Sequence, residues 1–456
     1  MPAPITRSLA EFALGLSYEA LPAAAVEAIR TGTTDCVAVM FAGLSAPVAG
    51  HARQSLGTRG PRGEARIYLG RERASTPEAT LANAAAASGS VFDDVAFAGC
   101  HTSVVLVPAI LAEAELTGAS GRDVIRAYAA GYEAWARLSE REKDAYSGKG
   151  WHATAVMGAV ATAIAVGTVH KLDAKTMVSA IGIAATMSGG ITASFDTDAG
   201  PFQVARAAAG GVTAVRLAKS GMTSAADALE RPGRGLLPAL SPKGQVDLDT
   251  PFGDLGKAWR LETVGVHLKK YPFGNVTQRA LDGMLDLVKE HNLKPADVVA
   301  VEAVIGESQG ATHAKSPSTI HKTPTHTIEL AMAAALIDRA ATFVHLRDPF
   351  IQRPDVQEVM KKVRTVVDAG APADEEYNLG FSGKVRLTLA DGRKVESPHL
   401  KRARGHWSSR LGREELWGKF AGCADGHVSG PKAVELFDAL QRLETLSAVT
   451  TLDSGL

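Results

Sequence analysis

The sequence predicts a mainly α fold: an all-helical domain formed by both ends of the chain, with an α+β segment inserted between them. Three observations predict it. Apolar residues recur at three- and four-residue spacing through most of the first 230 positions. A β-branched run and an alternating hairpin pattern then appear only between residues 298 and 397. Helical spacing returns at Arg413–Ala421 and Gly430–Ala448.

Taken in order, the helical stretches are 5–16, 22–43, 75–90, 103–117, 121–141, 153–170, 173–188, 201–220 and 222–230. Gly, Pro or Asp/Ser/Thr breaks separate them, with helix-start signals at 117–123 and around Asp173. Their Ala-rich faces leave room for helix axes to approach closely. The character changes near Gly265. Val298–Ile305 reads as a strand, and Lys384–Ser397 alternates around an Asp391-Gly392 turn, a hairpin signal. Helices are expected between them at about 275–291, 323–341 and 354–365. The domains are therefore expected at 1–265 with 399–456, and at 266–398. A short helical tail after an inserted domain most simply packs back on the first one.

Composition excludes several functions. The 456 residues carry 49 basic and 49 acidic side chains, which speaks against a nucleic-acid surface or a polybasic membrane patch. Cys36, Cys100 and Cys423 are far apart, so no disulfide framework, zinc module or iron–sulfur cluster is read. The first residues lack a charged segment followed by an apolar one, and a cytoplasmic setting is expected. The most apolar stretch, Ala153–Val169, is Ala- and Gly-rich and slightly short for a membrane span; it reads as a soluble core helix.

Four clusters carry polar chemistry. Phe92-Asp93-Asp94 is followed by His101, Thr102 and Ser103, an acid/base set, a metal site for which one loop supplies too few well-spaced ligands, or a capped turn with one solvated carboxylate. Tyr146, Lys149, His152 and Thr154 crowd the start of the small-residue helix. Unpaired N–H groups and the dipole there favour an anion. The plainer reading is a glycine loop in which Thr154 caps and His152 packs against a neighbour. Val266–Pro272 brings Lys269 to the point where the helical pattern ends, and reads either as a carboxylate contact or as a basic hinge in water. Thr312–His326 holds three histidines, Lys315 and Lys322; the Pro324 between His321 and His326 makes anion binding or a polar loop the better reading than metal.

These clusters, in this order, resemble the MmgE/PrpD family of 2-methylcitrate dehydratases, cis-aconitate decarboxylases and iminodisuccinate epimerase. The resemblance also rests on Val107–Glu115, Gly131-Tyr132-Glu133, Gly150–Thr154, Ala180–Ala184, Lys269–Pro272, and Arg404-Gly405-His406 followed by Glu414, Glu415, Lys419 and Phe420. It implies an all-helical domain from both chain ends and an inserted α+β domain resembling chorismate mutase. It also implies a homodimer that acts on a small-molecule carboxylate without metal or organic cofactor.

The implied chemistry is proton transfer at carbon beside a carboxylate. By resemblance, His152 is the proton-transfer residue and Lys269 the carboxylate clamp, with His101 and the Asp93/Asp94 pair as second acid/base. Tyr146 or Lys149 is the partner needed by an epimerase. The implied activity is a lyase of 2-methylcitrate dehydratase type. The alternatives are an isomerase or epimerase of a dicarboxylate, and an inactive carboxylate-binding protein.

The chain departs from the family pattern at Gly200 and Gln203, where Thr-Lys-x-x-His is common. It departs again at Gln278 in place of a histidine, and around Ile328–Leu330, where a tyrosine is common. Arg206, Lys322, His321 and His326 are the expected sources of compensating charge or imidazole.

Overall fold

The computed structural model describes residues 2–57, 63–195, 197–306, 324–370 and 383–456. Its chain forms two compact units, residues 1–266 with 416–456, and residues 267–415.

The first unit is a helical assembly of α1 (Ile5–Gly15), α2 (Ala23–Ala42), α3 (Pro47–Ser55), α4 (Thr76–Gly89), α5 (Ser103–Thr117), α6 (Gly121–Ser139), α7 (Ala153–Val169), α8 (Ala174–Thr186) and α9 (Ala199–Lys219). A two-residue pair, β1 (Ala65–Arg66) and β2 (Arg73–Ala74), lies between α3 and α4. At the centre is α7, buried without a break from Thr154 to Val169 and packed against α5, α6, α8 and α9. A helix apolar on every side must be enclosed by others, which is why Ala, Gly and Val suit it. The start signals act as read: Asp173 accepts the Thr176 N–H at 2.9 Å, and Ser120 and Asp123 form a capping box.

The second unit holds α10 (Asn275–Glu290), β3 (Val298–Gly306), α11 (Ile328–Ile337), α12 (Pro354–Lys361), β4 (Val363–Asp368), β5 (Gly383–Leu389) and β6 (Lys394–Glu396). The sheet order is β4-β3-β5-β6. β3 runs parallel to β4 (Val301 opposite Val363) and antiparallel to β5 (Val301 opposite Leu387), while β5 and β6 form the Asp391-Gly392 hairpin. Its core joins Leu281, Met284 and Val288 of α10, Leu330 and Met332 of α11, and Val301, Val385 and Leu387 of the sheet. Segment 399–415 stays with this unit: Gly383 bridges Leu400, and the Leu268 N–H donates to Gly405 O at 2.9 Å. α13 (Arg413–Ala424), which belongs to the first unit from Leu416 on, and α14 (Gly430–Leu440) end the chain's helices.

Three expectations need correction. Residues 222–230 form turns, not a helix, because the segment is drawn into the core by its polar end: Glu230 accepts the Thr6 N–H at 3.1 Å and the Thr6 hydroxyl at 2.5 Å. The helix expected over 354–365 stops at Lys361, and Val363, Thr365, Val366 and Val367 enter the sheet as β4, as β-branched residues favour. The helix expected over 323–341 is confined to Ile328–Ile337. Among the described residues, no single helix is long and apolar enough to cross a membrane.

Candidate active site

The loop between α4 and α5 builds one side of the site. Asp94 is fully buried and its carboxylate meets the first turn of α5: Oδ1 accepts the Ser103 N–H at 3.3 Å and Oδ2 accepts the Ser103 hydroxyl at 2.8 Å. The Ser103 oxygen in turn lies 2.8 Å from the Tyr128 hydroxyl of α6. With its own proton given to Asp94, Ser103 accepts from Tyr128. Burial, then the nearby charges of Asp35 and Asp93, push the Asp94 carboxyl up to about 7, against the Ser103 hydrogen bond and His101.

Asp93 takes the neighbouring imidazole. Its Oδ2 is 2.7 Å from His101 Nδ1, and the Asp94 carbonyl is 3.0 Å from the same nitrogen. Both partners are acceptors, so Nδ1 must carry the proton and Nε2 is the nitrogen left to accept or release one. The His101 N–H donates to Thr154 Oγ1 at 3.1 Å. Thr154 therefore does not cap α7; it joins the first cluster to the second.

His152 occupies the N-cap position of α7 without a side-chain cap bond. Its N–H donates to Gly190 O at 3.0 Å, the residue is 9% exposed, and Nδ1 is buried with no hydrogen-bond partner among the described residues. Phe195 meets the ring edge-on at 4.8 Å between centroids. Burial, then His101, push the imidazole down to about 4, with Asp93 opposing. The ring is neutral at physiological pH, with a polar atom unsatisfied.

The segment facing His152 is held by two side chains of α9. Arg206 donates to Met187 O and Gly189 O, both at 2.7 Å. Gln203 accepts the Ile191 N–H and donates to Ile191 O at 3.2 Å, so one side chain closes both backbone bonds of a strand neighbour. Gly190 sits at φ +132°, where an added Cβ would lie 2.7 Å from Ala155 Cβ.

Tyr146 and Lys149 form a separate network. Lys149 Nζ is 2.8 Å from Glu142 Oε2 and 4.6 Å from the Tyr146 ring centroid, and burial raises the Tyr146 phenol well above its ordinary range. In the second unit Lys269 is buried, and the turn after it is pinned by Gln278, which accepts the Tyr271 N–H at 3.2 Å and donates to Tyr271 O at 2.9 Å and Phe273 O at 2.7 Å. Ile328 and Leu330 are core residues of α11. Lys322 and His321 lie outside the described residues, while His326 is exposed. The described residues hold no group of three or more His, Cys, Asp or Glu side chains placed to ligate a metal ion.

The structure thus brings together Asp93, Asp94, His101, His152 and Thr154, and adds residues to which the sequence reading gave no role. Ser103, Tyr128 and Phe195 are among them, as are Asp35 and Lys419 behind the loop. Asp35 left one trace: an acid inside the apolar run of α2.

Residues 7–249 match the MmgE/PrpD N-terminal domain and residues 271–444 the MmgE/PrpD C-terminal domain. The chain belongs to the MmgE/PrpD family. Among its relatives are the cis-aconitate decarboxylases of Homo sapiens (26% identical, covering 83% of this chain and 79% of that protein) and Mus musculus (25%; 82% and 77%). A cis-aconitate decarboxylase of Aspergillus terreus is 23% identical over 98% of this chain and 95% of its own.

Gln203 and Gln278 each clamp a backbone loop. Gly200 lies in the first turn of α9. An added Cβ there would lie 2.9 Å from Ser194 O and 3.0 Å from Phe195 O, so this backbone leaves no room for a longer side chain.

Proposed function

We propose that the chain is a cofactor-independent lyase acting on an unsaturated or hydroxylated di- or tricarboxylate, with cis-aconitate as the first substrate to test. The observation that carries this reading is the His101–Asp93 arrangement beside a neutral, buried His152. Loss of carbon dioxide breaks a C–C bond and leaves its electron pair on carbon, delocalised through the adjoining double bond. That carbon must then receive a proton. His101 has its Nδ1 proton committed to Asp93 and Asp94, so the proton delivered is the second one, carried on Nε2 of the imidazolium, and its transfer to carbon leaves the ring neutral. The unsatisfied His152 Nδ1 and the N-terminus of α7 receive a carboxylate or developing negative charge.

On this reading Asp93 orients His101, and Asp94 fixes the loop from which both act. Lys269 binds a carboxylate through its ammonium. Arg206 acts by holding the carbonyls of the loop against His152, and the family lysine has no counterpart at Gly200. The names of the relatives support decarboxylation over the dehydration expected from motifs alone.

The test is proton NMR of the full-length protein in deuterium oxide with cis-aconitate, hydroxylated tricarboxylates and epimerisable dicarboxylates. The expected result is carbon dioxide release from cis-aconitate with one deuterium placed on carbon. Water loss from a hydroxy acid would move the assignment to a dehydratase. Deuterium exchange with no loss of either would make it an isomerase, and inertness toward every carboxylate would end the lyase reading.

A further inference from the structure

Nδ1 of His101 has two acceptors of different kinds. Asp93 Oδ2, at 2.7 Å, is a side-chain atom; the Asp94 oxygen, at 3.0 Å, belongs to the backbone. A backbone acceptor is aimed by whatever fixes its own residue. Asp94 is fixed through its carboxylate, which accepts three hydrogen bonds from the start of α5: the Thr102 hydroxyl at 3.3 Å, the Ser103 N–H at 3.3 Å and the Ser103 hydroxyl at 2.8 Å. The last is the shortest, and it continues into the core, where the Ser103 oxygen lies 2.8 Å from the Tyr128 hydroxyl. Both residues are fully buried. Three helices meet at this oxygen: α5 through Ser103, α6 through Tyr128 and α2 through Gly32. Glycine weakens a helix relative to alanine, so Gly32 inside α2 needs a reason. The reason is space, because an added Cβ would lie 2.7 Å from Ser103 Oγ and 3.2 Å from the Tyr128 hydroxyl oxygen. The Tyr128 ring is in turn stacked on Tyr132 at 6.1 Å, and the Tyr132 hydroxyl donates to Gly265 O.

We propose that Ser103 and Tyr128 are positioning residues for His101 and act on it through the Asp94 carbonyl. Tyr128 donates to the serine oxygen, and the serine donates to the Asp94 carboxylate. Asp94 so held keeps its carbonyl on Nδ1 of the imidazole. The ring is then fixed at Nδ1 by a carboxylate and a carbonyl that approach from different residues, which sets both its tautomer and the direction of Nε2. Neither Ser103 nor Tyr128 needs to meet the substrate. Gly32 belongs to the same device, since any side chain at that position would press the serine hydroxyl away from Asp94.

The inference rests on the proposed reaction for its purpose, but its first readout needs no substrate. Long-range proton–nitrogen NMR of the full-length protein, labelled with nitrogen-15 in histidine, reports which ring nitrogen of neutral His101 carries the proton, and His101→Asn assigns the signals. The wild type should show Nδ1–H alone. Tyr128→Phe, which keeps the ring and its stacking, and Ser103→Ala should each bring in a share of the Nε2–H tautomer. Gly32→Ala removes no polar group and should do the same by displacing the serine hydroxyl. In turnover of cis-aconitate, each variant should lower kcat about tenfold with KM changed less than twofold, the size of one lost neutral hydrogen bond at the transition state. A merely structural role would lower the melting temperature and leave the tautomer as in the wild type. Tyr128→Phe and Gly32→Ala that fold and keep Nδ1–H alone therefore overturn the proposal. So does a Tyr128→Phe variant that fails to fold, which makes the hydroxyl structural. Tautomer shifts as predicted in a protein inert toward every carboxylate would count against the lyase reading alone.

Discussion

At His152, burial and a neighbouring imidazole act in the same direction, and the ring is held neutral down to about pH 4. In an unfolded chain the same ring takes a proton near pH 6.5. The native state is thus penalised as pH falls from about 6.5 to 4, by roughly 3 kcal/mol at most. Denaturant titrations of wild type and His152→Asn should converge as pH drops through that window; parallel curves would show that the ring is not buried as described. Asp94 has the opposite sign. Its carboxyl is raised from the usual carboxylate range to about 7, so the folded state loses stability as pH rises through that range. Asp94→Asn should flatten that loss between about pH 4 and 7. For catalysis, His152→Asn and Asp93→Asn should each lower kcat/KM by about 10²-fold or more, the usual size of a lost acid/base or orienting group. A His152 variant with full activity would remove the role given to His152 in receiving a carboxylate or developing negative charge. These residues were visible in the sequence as types and spacings. Their protonation was not, because it depends on burial and on distant groups such as Asp35, which lies 59 positions before Asp94.

The helices of the first unit were legible because their apolar spacing and their caps agree, as at Ser120 and Asp173. Residues 222–230 had the spacing but were claimed by the Glu230–Thr6 contact, and Val363–Asp368 continued a helical pattern while its β-branched residues fitted a parallel strand beside β3. Both errors are tertiary effects overriding a local signal. The departures from the family pattern also find their reason at this scale. Gln203 and Gln278 each satisfy a loop's backbone from a helix, a job for an amide that donates and accepts at once. Gln203→Ala frees the Ile191 backbone and should raise KM several-fold with little change in melting temperature, measured by steady-state kinetics beside thermal melts. Gln203→His should fail to restore KM, since an imidazole cannot make both bonds to Ile191. Recovery by histidine would show that the side chain's role is proton transfer.

Across the whole chain, the family assignment was carried by motifs spread from Phe92 to Phe420, and both family domains match in that order. The motifs named the class of chemistry, whereas the choice among lyase reactions depends on where protons and charges sit. Asp93, Asp94, His101 and His152 belong to the first unit and Lys269 to the second. Loss of a charge-assisted contact to a carboxylate costs about 1.5–3 kcal/mol, so Lys269→Met should raise KM about 10- to 100-fold with a smaller effect on kcat. An unchanged KM would assign Lys269 to folding of its own unit. The most direct test of the central claim is the rate at which deuterium from solvent enters the product of cis-aconitate, compared between wild type and His101→Asn. Turnover by the wild type with one deuterium per product, slowed by 10²-fold or more in a folded variant, is the predicted result. Equal rates in the two proteins would contradict the assignment of proton delivery to His101.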